Sequence, residues 1–84
     1  MDTERPLTAL REGESGRVAR LTGSPGLCRR LAELGLIPGT PVSLFLRSPA
    51  GDPSAYLFRG AVVALRRADA AGIWLDAAPG EVSG

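Results

Sequence analysis

The sequence contains no His, Lys, Asn or Gln, and only a single Cys (Cys28), one Trp and one Tyr. Each absence closes off chemistry. Without His there is neither the usual general base nor the commonest metal ligand. One Cys excludes an internal disulfide, a CxxC redox pair and a Cys-rich zinc or iron–sulfur site. No GxxxxGK[ST] run is present to cradle phosphates. Asp52, Asp69 and Asp76 stand too far apart in sequence to argue a carboxylate dyad or a hard-cation cage. Long hydrophobic runs are missing as well. The longest uncharged stretch, Leu34 to Leu46, carries Pro38 and Pro41 and is shorter than the roughly 18 apolar residues of a membrane helix. Met1-Asp2-Thr3-Glu4 is acidic and lacks the apolar region of a secretory signal, so a soluble, cytoplasmic protein is expected.

What is present fits one small domain. The chain has 84 residues and 8.7 kDa, and a domain of this size buries roughly 60% of the surface its unfolded form exposes. An apolar fraction of 44% argues against disorder. All ten basic residues are Arg, set against nine acidic ones for a net charge of +1. That balance is too even for a strongly driven nucleic-acid or anionic-membrane binder.

Local patterns predict the elements. Residues 1–6 and 77–84 read as flexible ends around a domain spanning 7–76. Leu7 and Leu10 suit one packed helical turn before Gly13. Ser15 to Leu21 reads as a strand with Val18 and Leu21 inward, its imperfect alternation suggesting a bulge. Ser24 can cap a helix that Pro25 begins, with Leu27, Leu31 and Leu34 on one stripe. Gly35 stands where a left-handed residue is wanted, Leu36 can make the accompanying contact, and Pro38-Gly39 forms a turn. After it the period becomes two: Val42 to Leu46, a Ser48–Pro53 loop containing the Gly51-Asp52-Pro53 turn, Tyr56 to Phe58, and Val62 to Leu65. Arg66 to Gly72 is expected to be a short connection, and Ile73-Trp74-Leu75 a last strand. The prediction is a mainly β protein with one short α-helix, closed as a small five-stranded barrel.

These residues resemble the FeoA family, ferrous iron transport protein A. The resemblance rests on Gly13-Glu14-Ser15-Gly16-Arg17-Val18, on Arg29-Arg30-Leu31, and on Leu34-Gly35-Leu36-Ile37-Pro38-Gly39. Gly51-Asp52-Pro53, Arg59-Gly60, Ala64-Leu65-Arg66-Arg67 and Ala70-Ala71-Gly72-Ile73 extend it across residues 7 to 75. It implies a freestanding SH3-like barrel of the bacterial cytosol. The implied partner is FeoB, the membrane permease with a cytosolic GTPase domain, which would recruit the protein to the inner face of the membrane. A related module ends some iron-dependent repressors. The residues themselves add a further expectation. With no His, one Cys and one terminal Met, only scattered carboxylates remain as ligands. The protein is therefore expected not to carry the iron itself, to need no cofactor and not to be an enzyme.

Two groups of residues are candidate partner contacts. If Val42, Leu44, Leu46, Tyr56, Phe58, Val63, Leu65, Ile73 and Leu75 face inward, then Phe45, Leu57, Val62 and Trp74 face outward, and an exposed apolar cluster marks a contact site. A slip of one residue would send all four inside. The Arg29-Arg30 and Arg66-Arg67 pairs could meet an acidic patch or phosphates on a partner. Alternatively they form a solvated helix face and turn, with Glu33 and Asp69 as local partners. Cys28 reads as a small hydrophobe rather than a nucleophile. A nucleic-acid-binding barrel is the rival function, with Phe45 and Trp74 beside Arg47 as its stacking platform.

Overall fold

The computed structural model describes residues 4–76. The expected flexible tail, 77–84, and residues 1–3 of the expected flexible N-terminus lie outside them.

The strands are β1 (Arg5–Pro6), β2 (Ser15–Leu21), β3 (Pro41–Arg47), β4 (Ser54–Phe58), β5 (Ala61–Leu65) and β6 (Ile73–Leu75). Two helices, α1 (Pro25–Leu34) and α2 (Arg67–Ala70), and a 3-10 turn at Leu7–Ala9 complete the elements of the described residues. All strand pairs are antiparallel, and the single sheet runs β1-β6-β2-β3-β4-β5. The expected five strands become six among the described residues, in a sheet whose order ends on β1 and β5, and the expected barrel closure is not confirmed by that order. β1 was the strand not foreseen, since Arg5 and Pro6 become extended only by pairing with Leu75 and Trp74. The Arg66–Gly72 connection likewise contains α2. No side chain of its own caps that helix; Asp52 does so from the β3–β4 loop, its Oδ1 accepting the Arg67 N–H at 2.9 Å.

Helix α1 forms as its ends dictate. Ser24 Oγ accepts the Leu27 N–H at 3.2 Å, and Pro25 needs no donor there. At the other end Gly35 adopts φ 107°, its N–H bonds Ala32 O, and the Leu36 N–H bonds Leu31 O. The reversal turns Leu36 into the core. Leu31 is buried and Leu27 partly so, but Leu34 is exposed, because the helix rests on the core through its middle rather than its last turn.

The core is gathered by alternation. Val18, Val42, Leu44, Tyr56, Phe58, Leu65, Ile73 and Leu75 are buried with Leu7 and Leu10, and Val63 packs partly against them. Two irregularities depart from clean alternation. The first is the register shift in β2 between Val18 and Arg20, where a bulge was expected. The second lies in β3 between Leu44 and Leu46 and was not foreseen. It corrects the inward placement of Leu46, which now stands opposite the outward Ala55 and is exposed.

Candidate protein-docking face

The outer side of β3, β4 and β5 is built row by row. Ser43 lies opposite Leu57, and Leu57 opposite Val62. One row further on, Leu46 lies opposite Ala55, and Ala55 opposite Ala64. Phe45 is the extra residue of the bulge between the rows. Relative exposure is 57% for Phe45, 55% for Leu46, 52% for Val62 and 39% for Leu57. No charged side chain interrupts either row. The patch is thus contiguous, apolar and uncovered by any described residue, the physical signature of a contact surface. A shallow groove of about 220 Å³ adjoins it, lined in part by Pro41, Ser43, Leu57 and Arg59.

Three of the four expected outward residues, Phe45, Leu57 and Val62, come together here. Trp74 does not. It sits on β6, separated from β3 by β2, and is only half-exposed. Its Nε1–H donates to Thr22 Oγ1 at 3.3 Å, and the Arg20 guanidinium lies 5.0 Å above its ring. Arg20 is held there by Glu4 at 2.8 Å. Trp74 therefore caps the β1–β6–β2 part of the sheet. Leu46 is the face residue that alternation missed; nothing in its local sequence marks the bulge that turns it out.

The bulge is held from outside the strand. Leu44 exchanges backbone hydrogen bonds with the preceding loop, the Gly13 N–H donating to Leu44 O at 2.8 Å and the Leu44 N–H to Glu14 O at 3.0 Å. Glu12 Oε2 accepts the Arg47 N–H at 2.9 Å, and the Arg47 guanidinium donates to Leu10 O at 2.6 Å. Glu14 in turn accepts the Arg11 N–H and the Arg5 guanidinium, each at 2.9 Å. Those two bonds to its charged form hold the Glu14 carboxyl below the usual Glu range. Burial raises the Tyr56 phenol above its ordinary value, with Arg47 and Arg67 opposing the shift.

Arg29, Arg30, Arg66 and Arg67 are exposed. The ion pairs expected with Glu33 and Asp69 do not form: among the described residues the pairs are Arg5–Glu14 and Arg20–Glu4. Arg29 and Arg30 stand on α1, whereas Arg66 and Arg67 follow β5 directly. The stacking platform expected of a nucleic-acid binder is not assembled, because Arg47 is engaged with Leu10 and Trp74 lies across β2 from Phe45. Cys28 is a half-buried free thiol. Among the described residues no three His, Cys, Asp or Glu side chains converge as metal ligands, so the residues do not fit a resident transition-metal site.

The model of the FeoA domain matches residues 5–77, nearly the whole chain. The chain belongs to the FeoA family. Its fold is similar to the FeoA protein of Chlorobium tepidum, with TM-score 0.80 and 31% identity over 88% of this chain and 71% of that one. It is also similar to FeoA of Stenotrophomonas maltophilia in complex with zinc: TM-score 0.76 and 26% identity, covering 86% of this chain and 89% of that one. The Stenotrophomonas protein is described as a prokaryotic SH3 domain protein and put forward as a bacterial ferrous iron transport activating factor. A manganese-dependent transcriptional repressor matches with TM-score 0.82 and 25% identity over 93% of this chain, which spans only 44% of the repressor's length. No curated protein matches the chain in sequence. The fold is thus SH3-like, as FeoA membership implies, and no described helix is long and apolar enough to cross a membrane.

Proposed function

We propose that this FeoA-family chain is a non-enzymatic cytoplasmic accessory of bacterial ferrous iron uptake. It docks the outer face of β3–β5 on the cytosolic part of an FeoB-type transporter and adjusts assembly, gating or GTP hydrolysis there. The observation that carries this reading is the uncharged pair of cross-strand rows around Phe45, Leu46, Leu57 and Val62. Family membership and the activating role put forward for the Stenotrophomonas protein support the iron-uptake context.

The experiment is retention of the transporter's cytosolic domain by the immobilised chain, with and without guanine nucleotide, alongside titration of the isolated chain with Fe²⁺. Retention is expected in at least one nucleotide state, with no stoichiometric iron binding. Failure to retain the domain in either state, or one tightly held ion per molecule, overturns the proposal. The likeness to the manganese-dependent repressor favours a second reading, a regulatory module for a DNA-binding partner. Mixed oligonucleotides separate direct DNA contact from protein docking, since sub-micromolar binding with a steep salt slope belongs to the former.

A further inference from the structure

The two edges of the sheet are built differently. Edge β1 is two residues long and contains Pro6, which cannot donate, so it is protected against strand addition. Edge β5 has no such protection. Ala61-Val62-Val63-Ala64-Leu65 carries no charge, no Pro and no bulge, and pairs with β4 in unbroken register.

That register says which backbone groups are free. Phe58 and Ala61 close a two-residue hairpin in which Arg59 and Gly60 both have positive φ, 53° and 78°. In such a hairpin the closing pair is hydrogen-bonded and alternate pairs follow it. Ala61, Val63 and Leu65 therefore direct their N–H and C=O groups at β4. Val62 and Ala64 direct theirs away from the sheet, and among the described residues nothing bonds them. The same two residues put their side chains on the apolar outer face.

Charge brackets this edge. Arg59 precedes it, and Arg66 and Arg67 follow it, all exposed and none in an ion pair with a described residue. The bracketing counts against a second copy as occupant. Antiparallel pairing of β5 with β5, centred on Val63, joins Val62 to Ala64 and sets Arg59 opposite Arg67, a like-charge pair at each end.

From this edge the geometry points to a strand-addition site: β5 accepts an extended segment of a partner protein, apolar in its middle and acidic at both ends. The segment bonds to Val62 and Ala64, continues the apolar rows through its own alternate side chains, and places carboxylates against Arg59 and Arg66. This deepens the docking reading, on which it rests, by giving the partner's segment its chemistry.

The probe is a short synthetic peptide of alternating Val and Thr with a Glu pair at each end, compared with the same peptide ending in Lys pairs. Amide exchange by NMR reads the Val62 and Ala64 N–H groups directly. The Glu peptide is expected to protect both amides and the Lys peptide neither. Ala64→Pro removes one outward donor without touching the β4 ladder and is expected to weaken peptide binding about two- to tenfold, the loss of one backbone hydrogen bond. Arg66→Glu, which leaves the backbone intact, is expected to shrink the preference between the two peptides, because Arg59 still favours the Glu end that faces it. Unprotected Val62 and Ala64 amides at saturating Glu peptide, equal protection by both peptides, or dimerisation through β5 overturns the proposal. Equal retention of the transporter's cytosolic domain by wild type and Ala64→Pro sinks the strand-addition site while leaving the docking reading standing. Peptide binding without retention of that domain does the opposite.

Discussion

Glu14 shows how one residue can be held by two neighbours at once. Its carboxylate accepts the Arg11 N–H and the Arg5 guanidinium, which bridges the β2 approach to the first strand. Because both bonds favour the charged form, its carboxyl is depressed in the folded state. A depressed carboxyl stabilises the fold above the ordinary Glu value of about 4.3, and the contribution is lost as pH falls through the folded value. Glu14→Gln is therefore expected to lower Tm at neutral pH and to flatten its decline below about pH 4, as read by thermal melts across that range. Parallel wild-type and variant curves would exclude the role. The sequence marks Glu14 only as part of the family-like Gly13–Val18 run; its partners come from folding. Trp74 makes the same point from the other side. Alternation along Ile73-Trp74-Leu75 gives the direction of the ring correctly, yet says nothing about Arg20 and Thr22, which reach it from neighbouring β2 and the residue after it.

Elements were legible where their determinants are local. Helix α1 is specified by Ser24, Pro25 and Gly35, all within its own span or next to it, so its limits follow from the sequence. The bulge in β3 was not legible, because Glu12, Gly13 and Glu14 hold it from a distant loop. Helix α2 was missed for a related reason: its cap, Asp52, is supplied across the fold. The two ends of α1 give a paired prediction. Ser24→Ala loses the cap bond and should cost about 1 kcal/mol. Gly35→Ala should cost more, about 1–3 kcal/mol, because Ala is strained at φ 107° and its Cβ would overlap the Arg59 side chain. Chemical denaturation reads both, and equal or negligible losses would contradict the assignment of the helix ends.

At the scale of the whole molecule, the core and the outer face were mostly read from period-two patterning, whereas sheet closure was not. Five short strands with frequent turns suggest a barrel, and β1 has no strand signature of its own: Arg5 and Pro6 pair with Leu75 and Trp74 of β6, at the far end of the sequence. The open sheet that results leaves β5 at an edge beside the apolar rows, so the exposed face and the free backbone lie together. This exterior is the surface on which the proposed docking rests. The most direct measurement compares the affinity of wild type and of the combined Phe45→Ala, Leu57→Thr and Val62→Thr variant for the transporter's cytosolic domain, with Trp74→Ala as a control. At least about tenfold weaker binding is expected for the combined variant, with its fold intact, and for Trp74→Ala a loss of stability with affinity unchanged. Wild-type affinity in the combined variant, or loss of binding in Trp74→Ala alone, would contradict docking through this face.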